Sequence, residues 1–201
     1  MPPFDPQKHP FDHAQGKHRR SIRLRGYDYS QAGAYFVTMV TRERACLFGE
    51  VVEDEMILNH LGKIADECWR AIPEHFPQVE LGAHAIMPNH AHGIIIIRVG
   101  ATHCVAPTDD CGMRPKGAKP GSLGAIIGSF KSAVSYHINK EHHIPHVWQR
   151  NYYEHIIRNQ HEMDAIWNYI ENNPSAWAGD AENPKKGLSY QTVDKLRPRR
   201  Q

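Results

Sequence analysis

Four isoleucines in succession, Ile94–Ile97, close the segment MPNHAHGIIII that runs from Met87 to Ile97. A run of β-branched residues of this kind reads as a buried strand. An extended chain alternates its side chains between faces with a period of two, so His90 and His92 point the same way and Ala91 the other. Two imidazoles then converge on one point at the start of the strand. A metal-binding pair and two solvated histidines at a strand entrance both fit that pattern, and with 15 histidines in 201 residues an H-x-H pair also arises by chance.

The rest of the chain supplies elements for that strand to pack with. AYFVTMVTR, Ala34 to Arg42, mixes aromatic and β-branched residues and is the first expected core strand. ACLFGEVVEDEMILN follows as a hairpin or irregular excursion. NHLGKIADECWRAIPEHF then spaces Leu61, Ile64, Ala65, Cys68 and Trp69 as a helix does, with Asn59 as its N-cap. QVELGAHAIMP and HAHGIIIIRV are two strands joined at Pro88-Asn89, a pair that favours a turn. A second long helix is expected over SLGAIIGSFKSAVSYHINK, where Leu123, Ile126, Ile127, Phe130, Val134 and Ile138 share one face behind Ser122 as N-cap. VWQRNYYEHIIR, Val147 to Arg158, reads as a final strand, and NQHEMDAIWNYIENNP as a last helix stopped by Pro174. This order suits an α+β fold, a ferredoxin-like or RRM-like antiparallel sheet with helices packed mainly on one face.

Around that unit, residues 1–32 form a basic N-terminal arm without sustained period, residues 99–121 a flexible insertion rich in Gly, Pro, Thr and Asp, and residues 179–201 a basic tail beyond a domain spanning 33–178. The formal net charge is only +2, but KHRRSIRLR, RPKGAKP and KLRPRR concentrate the cations, which points to a polyanionic partner more than the total does. Cys46, Cys68, Cys104 and Cys111 show no C-x-x-C spacing, and with no secretory signal read ahead of them the expected location is the cytoplasm. No apolar run approaches the roughly 20 residues that span a bilayer, so no membrane partner is expected.

Two imidazoles form a borderline ligand set that leaves most of a coordination sphere open, an arrangement that favours catalysis over structure. A histidine-triad nucleotide hydrolase would carry a third histidine where this chain has Ile94, and a metalloprotease would place H-E-x-x-H on a helix. On the last helix Tyr169 and Asn173 lie four residues apart and share a face. Tyrosine can attack phosphorus when a metal withdraws charge from the phosphate, and an amide oxygen one turn on could be a third ligand. A core aromatic and a helix-end residue before proline are the plainer readings of the same two positions.

MPNHAHGI resembles the histidine-hydrophobic-histidine motif of the HUH nucleases, and NYIENNP resembles the single-tyrosine helix of their transposase branch. Within that branch the chain resembles the REP-associated tyrosine transposases, from the YFVT strand through GSFKSAV and VWQRNYYEHIIR to the last helix. That resemblance implies an HUH endonuclease and transposase of single-stranded or hairpin-flanked DNA, active in DNA transposition and recombination as a monomer or dimer. It maps His90 and His92 onto the metal pair, Asn173 onto a third metal-binding amide, and Tyr169 onto the nucleophile, with Mg²⁺ or Mn²⁺ as cofactor and a 5′-phosphotyrosine intermediate. Tyr152 and Tyr153 offer rival nucleophiles on a strand. Arg19, Arg20, Arg23, Arg25, Lys131, Arg150 and Arg158 are candidates to hold backbone phosphates, and Tyr27 and Tyr29 to stack on unpaired bases. A non-catalytic nucleic-acid-binding protein and a metal-dependent phosphodiesterase remain the alternatives.

Overall fold

The computed structural model describes residues 24, 26–98, 118–180 and 182–184. Most of the basic arm with Arg19, Arg20, Arg23 and Arg25, most of the 99–121 insertion and the end of the C-terminal tail lie outside them.

Among the described residues six strands and five α-helices follow one another: β1 Gly33–Val40, β2 Gly49–Val52, β3 Glu55–Leu58, α1 His60–Arg70, α2 Ile72–His75, β4 Val79–Met87, β5 His90–Ile97, α3 Leu123–His142, β6 Tyr153–Ile157, α4 Gln160–Glu171 and α5 Asn173–Ala176. The main sheet is antiparallel throughout, in the order β4-β5-β1-β6. Without the small β2–β3 hairpin, the chain runs β-α-β-β-α-β through that order, which is the ferredoxin-like arrangement the sequence leads one to expect. Glu53 and Asp54 turn the hairpin with φ of 50° and 64°, a tight reversal whose twist matches the flanking strands.

The two long helices begin where their caps predict. Asn59 Oδ1 accepts from the Gly62 amide at 3.0 Å, and Ser122 Oγ from that of Ala125 at 3.4 Å. All six apolar residues of the α3 stripe are buried. With Ile64, Ala65 and Trp69 of α1 they cover one face of the sheet, meeting Tyr35, Val37 and Met39 of β1 and Ala91, Ile95 and Ile97 of β5. The opposite face receives a single long helix. Ile166 and Ile170 of α4 pack there on Phe36, Ile94 and Ile157. Strand β5 is thus covered on both sides, which accounts for its unbroken run of isoleucines.

Two expected elements differ in extent. The strand expected over 147–158 is confined to Tyr153–Ile157. Ahead of it Asn151 takes a left-handed φ of 69°, and Lys131 Nζ donates to the carbonyls of Gln149 and Asn151 at 2.6 and 2.9 Å. Those carbonyls are therefore held by a side chain from α3 rather than by a sheet partner, although Trp148 still bridges to Thr41. The last helix ends at Glu171, and Pro174 sits in the first turn of the short α5, where its missing N–H costs nothing, instead of simply ending α4.

Gly93 is where the α1 face comes closest to the sheet. A Cβ there would lie 2.1 Å from Cζ2 of the Trp69 indole, itself fully buried, so only a residue without a side chain fits. Replacing Gly93 by alanine is expected to cost about 2 kcal/mol, typical of overpacking a rigid core. A thermal melt should show Tm lower by several degrees; an unchanged Tm would contradict this packing.

Candidate metal and tyrosine site

The turn after Met87 delivers His90 as the first residue of β5, and the alternation then sets His90, His92 and Ile94 toward α4 while Ala91, Gly93 and Ile95 face α1 and α3. Both histidines are buried, at 0% and 1% exposure, with ring centroids 4.3 Å apart. Burial of an imidazole requires polar partners, and each ring has one. His92 Nδ1 lies 2.8 Å from the hydroxyl of Thr38, its partner residue on β1. His90 Nδ1 lies 2.9 Å from Asn89 Oδ1.

Asn89 decides the tautomer of His90. Its amide nitrogen donates to the carbonyls of Arg44 and Glu182 at 3.1 and 2.6 Å, so its oxygen is the atom that faces the ring. An amide oxygen only accepts. Nδ1 of His90 therefore carries a proton, and in the neutral ring Nε2 is left with the lone pair, the tautomer in which that nitrogen can bind a metal.

The third member comes from the segment that follows α5. Asp180 is 7% exposed, and one of its carboxylate oxygens lies with ring nitrogens of His90 and His92 in a set whose members are all within 4.8 Å of one another. Its Oδ1 accepts from the amide of Glu182 at 2.7 Å. Glu182 is buried and pairs with Arg44 Nε at 2.9 Å, which docks the returning segment beside the Pro88-Asn89 turn. Two imidazoles and a carboxylate could hold a divalent metal ion. Asn173, the expected third ligand, is also buried here at 1% exposure. Neither atom of its carboxamide is in a well-formed hydrogen bond with the protein, yet it sits close enough to the Tyr169 hydroxyl to favour the phenolate.

Tyr169 projects from α4 into the same space, its ring 5.4 Å from that of His92 and 6.0 Å edge-on from Phe36. Burial pushes its pKa well above the ordinary phenol value, and the nearby Asp180 carboxylate pushes in the same direction against Asn173. The phenol is therefore protonated at neutral pH unless positive charge is brought to the site. The strand tyrosines divide between faces. Tyr153 stands opposite Thr38 on the histidine face, 6.3 Å from Phe36, with its pKa raised by burial. Tyr152 packs with the core beneath α1 and α3.

No family model matches the chain. A Haemophilus influenzae protein described as uncharacterized is 43% identical over 165 residues, which are 81% of this chain and 92% of that protein. The chain belongs to its family. Among solved structures, a REP-associated tyrosine transposase bound to a REP hairpin is similar over 76% of this chain and 72% of its own, with a TM-score of 0.51 and 19% identity. At that identity the likeness is one of fold, and the chain has a transposase-like fold.

The candidate phosphate and base contacts fall in different places. Arg150 and Arg158 are exposed at either end of the segment leading into and out of β6. Lys131 is half-buried, its ammonium engaged by the two loop carbonyls and its pKa pushed down to about 8 by burial. Tyr27 and Tyr29 pack edge to face 4.8 Å apart beside Tyr35, and Tyr29, at 9% exposure, belongs to the core on the α1–α3 face, away from the histidines. Aromatic character that suggested base stacking serves packing at Tyr29. Among the residues sequence reasoning passed over, Asp180 and Asn89 matter most.

A buried pair fixes the start of α4. His155 Nε2 lies 3.5 Å from Glu162 Oε2, an oxygen that also accepts from the Arg158 amide at 2.9 Å. Only Arg158 and Asn159 separate β6 from α4, so the tyrosine helix folds directly over the sheet it follows.

If the group holds a divalent ion, substituting Asn89 by alanine should release the His90 tautomer and weaken that binding about 10- to 100-fold, the usual cost of removing the partner that orients a ligand. Isothermal titration would measure this, and an unchanged Kd would show that Asn89 does not orient the ligand.

Proposed function

We propose that the protein is a metal-dependent nuclease and strand transferase for single-stranded DNA, of the HUH tyrosine transposase kind, which cleaves beside a hairpin and rejoins through a 5′-phosphotyrosine link. One observation carries this reading: the only long helix on the histidine face, among the described residues, brings a tyrosine ring within 5.4 Å of a buried histidine that belongs to a His-His-Asp group. A phenol beside potential metal ligands can serve as a nucleophile for phosphorus. The fold shared with a REP-associated tyrosine transposase solved with a REP hairpin supports the DNA substrate.

In this reading His90, His92 and Asp180 would hold Mg²⁺ or Mn²⁺, with Asn173 buried near Tyr169, and the ion would supply positive charge to neutralise the scissile phosphate and favour the phenolate. Tyr169 loses its proton to water and its oxygen attacks phosphorus in line. The bond to the 3′ oxygen breaks, that oxygen takes up a proton, and the 5′ end is left esterified to Tyr169. Rejoining is the same displacement in reverse, with a 3′-hydroxyl as nucleophile, so the phosphodiester is conserved and no nucleotide cofactor is required. Asn89 and Thr38 keep the imidazoles oriented, while Ile166 and Ile170 hold the helix against the sheet so that the phenol is positioned before DNA arrives. The short β6–α4 connection lets each chain use its own tyrosine. Arg150 and Arg158 are exposed cations suited to backbone phosphates, and Arg19, Arg20, Arg23 and Arg25 would add to them from the arm.

The test incubates the full chain with Mn²⁺ and a labelled hairpin-flanked single strand and separates the products on a denaturing gel. The wild type should give a labelled protein band. Tyr169→Phe should lose that band while still binding the hairpin, and His90→Ala, His92→Ala and Asp180→Ala should reduce it about 100-fold or more. Cleaved DNA without any protein-linked label would identify a hydrolytic phosphodiesterase, and binding without cleavage a DNA-binding protein; either result overturns the proposal.

A further inference from the structure

A second group of ligating side chains lies across the sheet from the histidine pair, where the start of α1 meets the end of α3. His60 is the first residue of α1, and Glu141 and His142 are the last two of α3. His60 Nε2 stands 2.8 Å from Glu141 Oε2, and His142 Nε2 stands 3.9 Å from the same oxygen. The two imidazole rings are 5.5 Å apart, and one ligand atom from each residue lies within 4.8 Å of the other two.

One His–Glu pair on a surface would be an ordinary ion pair of small worth. Here two imidazoles from different helices converge on one carboxylate oxygen. A neutral imidazole nitrogen offers a lone pair to a metal ion. All three side chains are exposed, so a hydrated ion reaches them without opening the core. The cluster borders a groove of about 770 Å³ between α1, α2 and α3, which His75, His137, Glu67 and Cys68 also line.

We propose that His60, Glu141 and His142 form a second metal site, for a borderline divalent cation and zinc above all, which ties the first turn of α1 to the last turn of α3. Two nitrogens and one carboxylate oxygen select zinc over magnesium or calcium, which prefer all-oxygen shells. Three protein ligands leave the fourth tetrahedral position to water. The site shares no residue with the His90, His92 and Asp180 group, and the inference stands whether or not the chain cleaves DNA.

The experiment titrates the full-length chain with zinc against a chromophoric chelator, for the wild type, His60→Ala, His142→Ala and His90→Ala. Because the chain carries other histidines, the readout is the difference from wild type. His60→Ala and His142→Ala should each lose one zinc equivalent, or bind it at least tenfold more weakly, and His90→Ala should lose a different one, so that the His60→Ala/His90→Ala chain lacks both. Zinc should also raise the Tm of the wild type by several degrees more than that of His60→Ala, since the ion binds the folded pair of helices and not the unfolded chain. A circular dichroism melt without metal confirms that the surface variants fold, with His60→Gln as a milder substitute. Wild-type stoichiometry and affinity in His60→Ala and His142→Ala would overturn the proposal, as would a single wild-type equivalent that His90→Ala alone removes.

Discussion

Side chains on β5 alternate between two covered faces, and everything else in the molecule is arranged around that alternation. One set, Ala91, Gly93, Ile95 and Ile97, faces the apolar layer under α1 and α3, where Trp69 leaves no room for a Cβ at position 93. The other set, His90, His92 and Ile94, faces α4. A slip of one residue in register would exchange the two sets, placing imidazoles in the core and isoleucines at the polar site. The pairing of β5 with β1 and β4 is therefore as much a condition of the site as the histidines themselves.

Burying two imidazoles and the Asp180 carboxylate on one face is costly unless each is held. The structure meets that requirement with local partners: Thr38 for His92, Asn89 for His90, and the Glu182 amide for Asp180. The same contacts tie distant parts of the chain together. Asn89 closes the β4–β5 turn and anchors the segment after α5, and Arg44, which pairs with Glu182, brings the loop after β1 to the same place. The polar site and the docking of the returning chain are one network, so a change at Asn89 or Glu182 reaches the metal ligands without touching them.

Much of this was legible because it follows short-range rules. The alternation in HAHGIIII, the six-residue stripe of α3 and the caps at Asn59 and Ser122 depend only on neighbours a few positions away, and the structure reproduces them. The tyrosine helix could be read in the same way up to Glu171, although Asn173, four residues after Tyr169, begins a new short helix. Asp180 was not legible. It belongs to no periodic pattern, and it reaches the histidines because Glu182 pairs with Arg44 and Asn89, partners far away along the chain. Asn89 looked like a turn former, and its second use as the residue that orients His90 depends on the carbonyls around it. The 147–158 segment has strand-like composition throughout, but Lys131 and the left-handed Asn151 keep its first half out of the sheet.

Helix α4 brings one particular tyrosine, Tyr169, to the histidine face, which Tyr153 also borders. Protease digestion of the protein after reaction with Mn²⁺ and a hairpin-flanked single strand, followed by mass spectrometry of the nucleotide-bearing peptide, tests the role of Tyr169 most directly. The account predicts a phosphodiester adduct on the peptide containing Tyr169 and none on that containing Tyr153. An adduct on Tyr153, or on any residue outside α4, would contradict it.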